Sequence, residues 1–178
     1  MLEYHQSAGV EYLVTVVISG GSTVPAVYWR SGSAIFTQAN SPSIAIGTSD
    51  PSERNSSLCA VGLNDGSNDR LYIFYTDPGE SSSREKEIKF VKSPSITGGG
   101  VGTIAAGSYS SATISGAYTN NKIDGFFDYT NDRLVIIFRN PTTGFVDVAF
   151  SDDYGSTWDL SITNIVYASG APSIAPLY

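Results

Sequence analysis

The chain has 178 residues, enough for one domain of 1–178, and its 41% hydrophobic content can bury a core, which argues against disorder. A formal net charge of −7 and a pI near 4.5 disfavour a nucleic acid or an anionic membrane as partner, because phosphate binding draws on a Lys/Arg excess that is absent here. Gly at 18 residues and 12% aromatics against 15% charged residues indicate short strands joined by turns, an all-β chain.

In chain order, Met1 to Ala8 shows no periodicity and is expected to be a flexible arm, with His5 in it. Tyr12 to Ile18 is a nearly unbroken β-branched run that stops at Gly20-Gly21, as for a strand covered on both faces. Val24 to Trp29 and Ala34 to Gln38 continue a meander, turning at Ser31-Gly32-Ser33. A loop from Asn40 to Asn55, with Pro42 and Pro51, leads to a strand at Leu58 to Gly62. A polar turn at Asn64 to Asp69 then precedes the strong strand Leu71 to Tyr75. Asp77 to Lys86 reads as a solvated loop and Glu87 to Val91 as the returning strand, while Ile96 to Gly107 carries no clear pattern. Further strands are expected at Ala112 to Tyr118, Gly125 to Tyr129, Leu134 to Phe138, Phe145 to Phe150 and Trp158 to Val166. No apolar stretch approaches the roughly 20 residues of a membrane-spanning helix, and no secretory leader is readable, so a soluble protein is expected.

Two repeats cross this order. Asn68-Asp-Arg-Leu-Tyr-Ile-Phe returns 63 residues later as Asn131-Asp-Arg-Leu-Val-Ile-Ile, and Pro-Ser-Ile occurs at Pro42, Pro94 and Pro172. Self-similar units of several strands predict a β-propeller-like fold of about three to four blades. A propeller closes with roughly 4 to 8 blades, so three would need completion by oligomerisation. A homo-oligomer, favoured as a dimer, is therefore expected, with Ser173 to Leu177 pairing into a neighbouring blade. The alternative architecture is a β-sandwich.

Ser151-Asp-Asp-Tyr-Gly-Ser-Thr-Trp158 lies between two strand-like runs. Asp153 can bond its own turn, Gly155 can take a positive φ, and Trp158 can fold back over the hairpin. The octet resembles the Asp-box of sialidases and related β-propellers (the BNR repeat) at Ser151, Asp153, Gly155, Thr157 and Trp158, which implies a structural hairpin in a propeller blade. A looser resemblance, to propeller lectins that bind fucose and related sugars, rests on the order of an Arg, an aromatic strand, a Glu and a Trp. It implies glycan contacts at Trp29, Arg30, Arg70, Tyr75, Glu87, Arg133 and Trp158.

Catalysis is not expected. Arg30, Arg54, Arg70, Arg84, Arg133 and Arg139 lack the Arg-Ile-Pro context that opens sialidases. His5 alone cannot serve a triad, and carboxylates such as Asp124, Asp128, Asp147, Asp152 and Asp153 read as turn formers. Cys59 has no disulfide partner in the chain, and no Cys/His zinc set can form, so neither metal nor cofactor is expected. Asp65, Asn68 and Asp69 do not follow an EF-hand spacing. Gly100-Val-Gly-Thr-Ile-Ala105 fits a nucleotide fingerprint only nominally, without a helix after it, and Asn55-Ser-Ser57 is a glycosylation sequon. The sequence thus points to a carbohydrate-binding, lectin-like module without catalysis. The alternatives are a structural or assembly protein, such as a viral or fibre-like component, and a sialidase-like glycosidase fragment.

Overall fold

A computed structural model describes residues 2–5, 10–48, 57–76, 86–97, 103–119 and 123–162. These residues form three antiparallel sheets and contain no helix.

Sheet I runs β1 (Leu2–His5), β2 (Val10–Ser19), β3 (Ser22–Arg30) and β4 (Thr37–Gln38), with β5 (Gly47–Thr48) also on β3. Within the stretch 1–8 expected to be an arm, Leu2–His5 instead form β1, which pairs with β2 from Leu2 opposite Leu13 to His5 opposite Val10. Four residues are too short to show an alternation, and the backbone bonds that hold them come from another segment. Sheet II places β6 (Leu58–Asn64), β7 (Asp69–Thr76), β8 (Lys86–Lys92) and β11 (Ser110–Thr119) in that order. The stretch without a clear pattern contributes β9 (Ile96–Thr97) and β10 (Thr103–Ile104) to its edge. Sheet III is a four-strand meander of β12 (Ile123–Asp128), β13 (Arg133–Arg139), β14 (Val146–Ser151) and β15 (Asp159–Ile162). The pairing expected of Ser173 to Leu177 lies outside the described residues.

Sheet II is covered on both faces. In β7, Leu71, Ile73 and Tyr75 point into a core shared with Val10, Tyr12, Val14 and Val27 of sheet I. The intervening Tyr72 and Phe74 point into a second core shared with Leu134, Ile136 and Phe138 of sheet III. A run of five apolar residues with both parities buried is what a middle layer requires. This stack of three layers replaces the two-layer sandwich, which would leave one face of every sheet exposed. It gives a propeller-like fold of partial blades, in which β12 lies against β6 and β6 against β1 as the successive inner strands.

The interface between sheets II and III is tight. Phe74 and Phe90 lie 5.4 Å apart by ring centroid, and Trp158 meets both edge-on at 5.9 and 5.8 Å. Gly125 lets β12 approach β13, since a Cβ there would come within 2.5 Å of Ile136 Cδ1 and 3.0 Å of the Val135 carbonyl oxygen. Ser57 links the blades, its hydroxyl accepting the Ile123 amide at 2.6 Å.

Candidate functional site

The residue-68 and residue-131 repeats begin with the same turn. Asp65 accepts the amides of Ser67 and Asn68 at 3.2 and 2.8 Å, and Asp128 accepts those of Thr130 and Asn131 at 3.0 and 3.3 Å. Each turn joins the first two strands of its sheet, so both lie on one rim of the stack. The Asp-box hairpin joins β14 to β15 on that same rim.

The hairpin closes as its residue types dictate. Asp153 accepts the Thr157 amide at 2.8 Å, the Thr157 hydroxyl at 2.7 Å and the Ser151 hydroxyl at 2.8 Å. Ser151 Oγ accepts the Gly155 amide at 2.7 Å, and Gly155 takes φ +86°. The Thr157 hydroxyl and amide and the Ser151 hydroxyl hold the Asp153 carboxyl below the usual carboxylate range.

Tyr154 extends from the hairpin across the gap between sheets II and III. Its backbone carbonyl accepts Tyr72 OH at 3.0 Å, and its own hydroxyl donates to Asp132 Oδ2 at 2.6 Å. Its ring stacks on Phe127 at 6.3 Å and lies against Gly66, where an added Cβ would meet the hydroxyl at 3.7 Å. Tyr154 and Asp132 are also the non-glycine residues with positive φ among those described, at 53° and 54°. Strained backbone held by a mutual hydrogen bond marks a position fixed by its surroundings. Tyr129, edge-on to Phe127 at 4.9 Å, stands 58% exposed beside this pair.

Charges flank the aromatic group. Arg70 Nε and Lys92 Nζ lie 3.0 and 2.8 Å from Asp65 Oδ2, and Lys92 sits 5.4 Å from the Tyr72 ring centre. Burial pushes the Asp65 carboxyl up, but Lys92, the Asn68 amide and Arg70 outweigh it and pull it down to about 2. A folded-state pKa below the ordinary value near 3.9 gives stability that is present above about pH 4 and lost as the pH falls towards 2. Asp65→Asn should therefore flatten, without abolishing, the fall in urea midpoint between pH 5 and 2. An unchanged acid slope would show that Asp65 has no part in it.

The seven residues expected to contact glycans are spread over all three sheets. Tyr75, 4% exposed, is packed between sheets I and II, where a surface ligand cannot reach it. Trp158 is packed against the core between sheets II and III, and Trp29 is half-buried against the other core. Arg30 pairs with Glu11 and lies 4.6 Å over the Phe36 ring centre, while Glu87 is half-buried on β8 opposite Tyr118. Arg133 is bidentate to Asp152 at 2.5 and 2.9 Å and stacks 4.0 Å over Phe150 on the opposite side of sheet III from Tyr154's gap. Arg70 lies beside the Asp65 turn on the Tyr129–Tyr154 rim. Sequence reasoning missed Tyr129, Asp132 and Tyr154 as a group, although Tyr129, standing where the matching turn has Gly66, was an available signal.

No family model matches the sequence, and a search of curated proteins finds no match. Among solved structures the chain is similar to an inulosucrase from Halalkalicoccus jeotgali bound to kestose, at 14% identity and a TM-score of 0.51. The likeness covers 90% of this chain and 50% of that one, so the chain spans about half the length of the protein it matches. At that identity the likeness establishes the fold alone, a β-propeller-like stack of antiparallel blades.

Proposed function

We infer that the chain is a carbohydrate-binding, lectin-like module without catalysis, and that the rim between sheets II and III is its binding surface. The observation that carries this reading is Tyr129, a 58% exposed ring beside the Tyr154–Asp132 pair. Sugar rings pack an apolar face on an aromatic ring while carboxylates and guanidinium groups take the hydroxyls. Tyr129 offers the ring, and Asp132 and Arg70 offer the polar groups. The similar solved structure holds kestose on a related fold, which supports a carbohydrate ligand without specifying the same site.

Four of the described carboxyls are unsuited to act as the acid of a glycosidase. A glycosidase needs one acid held protonated near its working pH. Here Asp65, Asp128, Asp153 and Asp159 all sit below the usual carboxylate range, drawn down mainly by hydrogen bonds from their own turns or by cations.

A glycan array, followed by calorimetric titration of each hit and of kestose, tests this reading. The expected result is weak binding that Tyr129→Ala reduces by about fivefold, the loss of one stacking contact of roughly 1 kcal/mol. Absence of binding to the array and to kestose would overturn it, as would binding indifferent to Tyr129→Ala.

A further inference from the structure

The rim between sheets II and III is unbalanced in charge. Its two turns and its hairpin carry six aspartates, Asp65, Asp69, Asp128, Asp132, Asp152 and Asp153, and the strand ends beside them carry three cations, Arg70, Lys92 and Arg133, which leaves the rim three charges negative. The other described cations stand elsewhere: Arg30 on sheet I, Lys89 midway along β8, and Lys86 and Arg139 at the ends of β8 and β13 away from this rim. Arg54, Arg84 and Lys122 lie outside the described residues, in connections that lead into β6, β8 and β12 at their far ends.

Each of the three rim cations is already committed within the chain. Arg70 Nε lies 3.0 Å from Asp65 Oδ2 while its Nη1 donates to the Ser93 carbonyl at 3.0 Å, and Lys92 Nζ lies 2.8 Å from the same carboxylate oxygen. Arg133 is bidentate to Asp152. An acidic ligand group is held best by a guanidinium that can face it with two N–H bonds, and here that geometry is used up by protein carboxylates. The aspartates on either side of the exposed Tyr129 are held differently. Asp128 accepts the Thr130 and Asn131 amides and the Asn131 side chain at 2.6 Å, and Asp132 accepts the Tyr154 hydroxyl at 2.6 Å. Neutral donors orient these carboxylates and leave their charge on the rim.

We propose that this rim selects uncharged saccharides and rejects those that bear carboxylate or sulfate groups. The inference rests on the reading of Tyr129 as the stacking ring, and it names the class of sugar that the ring accepts. Hydroxyl groups can donate to Asp132 and accept from the remaining N–H groups of Arg70, so an uncharged ligand keeps every contact. An acidic group on the same ligand comes within about 10 Å of several carboxylates at once and gains no countercharge in return.

A glycan array that carries neutral oligosaccharides beside their uronate, sialylated and sulfated counterparts tests this. Calorimetric titration of the strongest neutral glycan and its acidic counterpart follows, at about 10 mM and about 1 M salt. The expected result is that the hits are uncharged glycans. The acidic counterpart should bind at least about fivefold more weakly at low salt, and the difference should close at high salt, where screening acts over about 3 Å. Asp128→Asn keeps an acceptor for the Thr130 and Asn131 amides, so it should leave neutral binding unchanged and narrow the low-salt difference about twofold. A low-salt difference unmoved by Asp128→Asn would place the discrimination elsewhere and overturn the proposal. An acidic glycan among the strongest hits, or a difference insensitive to salt, would overturn it while leaving the carbohydrate reading in place. Absence of any hit would overturn both. The salt series on the native chain decides the matter should the variant fail to fold.

Discussion

Gly155→Ala is expected to lower stability by about 3 kcal/mol, from two costs that add. A non-glycine residue in the left-handed region costs about 1–2 kcal/mol, and Gly155 has φ +86°. Forcing an extra carbon into a packed contact costs a further 1–3 kcal/mol, and here the new Cβ would lie 3.0 Å from Phe90 Cζ and 3.5 Å from Tyr72 Cε1. Phe90 cannot yield freely, because it is locked between Phe74 and Trp158. Gly20→Ala is the control: φ is +58°, but nothing lies within 4 Å of its Cβ, so only the backbone cost of about 1 kcal/mol applies. In a domain of this size the two variants should melt about 6–12 °C and 2–4 °C below the native protein. Equal shifts would show that the hairpin is not pressed onto sheet II.

The contrast between these glycines also indicates what was legible in the sequence. The Asp-box could be read because its bonds run between residues two to four apart, so composition and spacing carry the geometry. The repeated Asn-Asp-Arg turns and the strands after them could be read for the same reason. Tyr154 could not, because Asp132 lies 22 residues away in another turn of sheet III, and Tyr72 lies 82 residues away and meets it only when sheets II and III stack. Tyr75 is a glycan contact by its likeness to a lectin pattern, but it lies 4% exposed in the unbroken apolar run Leu71 to Tyr75, as a strand covered on both faces requires. Strand β1 was missed because its evidence lies in β2. Local chemistry specified the turns and the middle strands, and inter-sheet contacts decided which of the exposed-looking residues remain exposed.

Trp158→Ala and Trp158→Phe should separate in stability by about 2 kcal/mol, with the alanine variant much the weaker. Trp158 closes the Asp-box and fills the space between sheets II and III, with Phe74 and Phe90 against its ring. Truncating a buried Trp to Ala costs about 3–5 kcal/mol, and the half-buried position here lowers that to roughly 2–3 kcal/mol. The indole nitrogen adds no hydrogen bond to this. Trp158 Nε1 is buried without a hydrogen-bond partner among the described residues, and an unpaired buried donor costs about 1–3 kcal/mol. Phenylalanine removes that donor while keeping a ring against Phe74 and Phe90, so the lost contact area and the recovered desolvation nearly cancel, leaving a change within about 1 kcal/mol. Urea unfolding followed by far-ultraviolet circular dichroism measures both variants on one scale. A Trp158→Phe variant as unstable as Trp158→Ala would mean that Nε1 is engaged in the native protein and that the residue does more than pack.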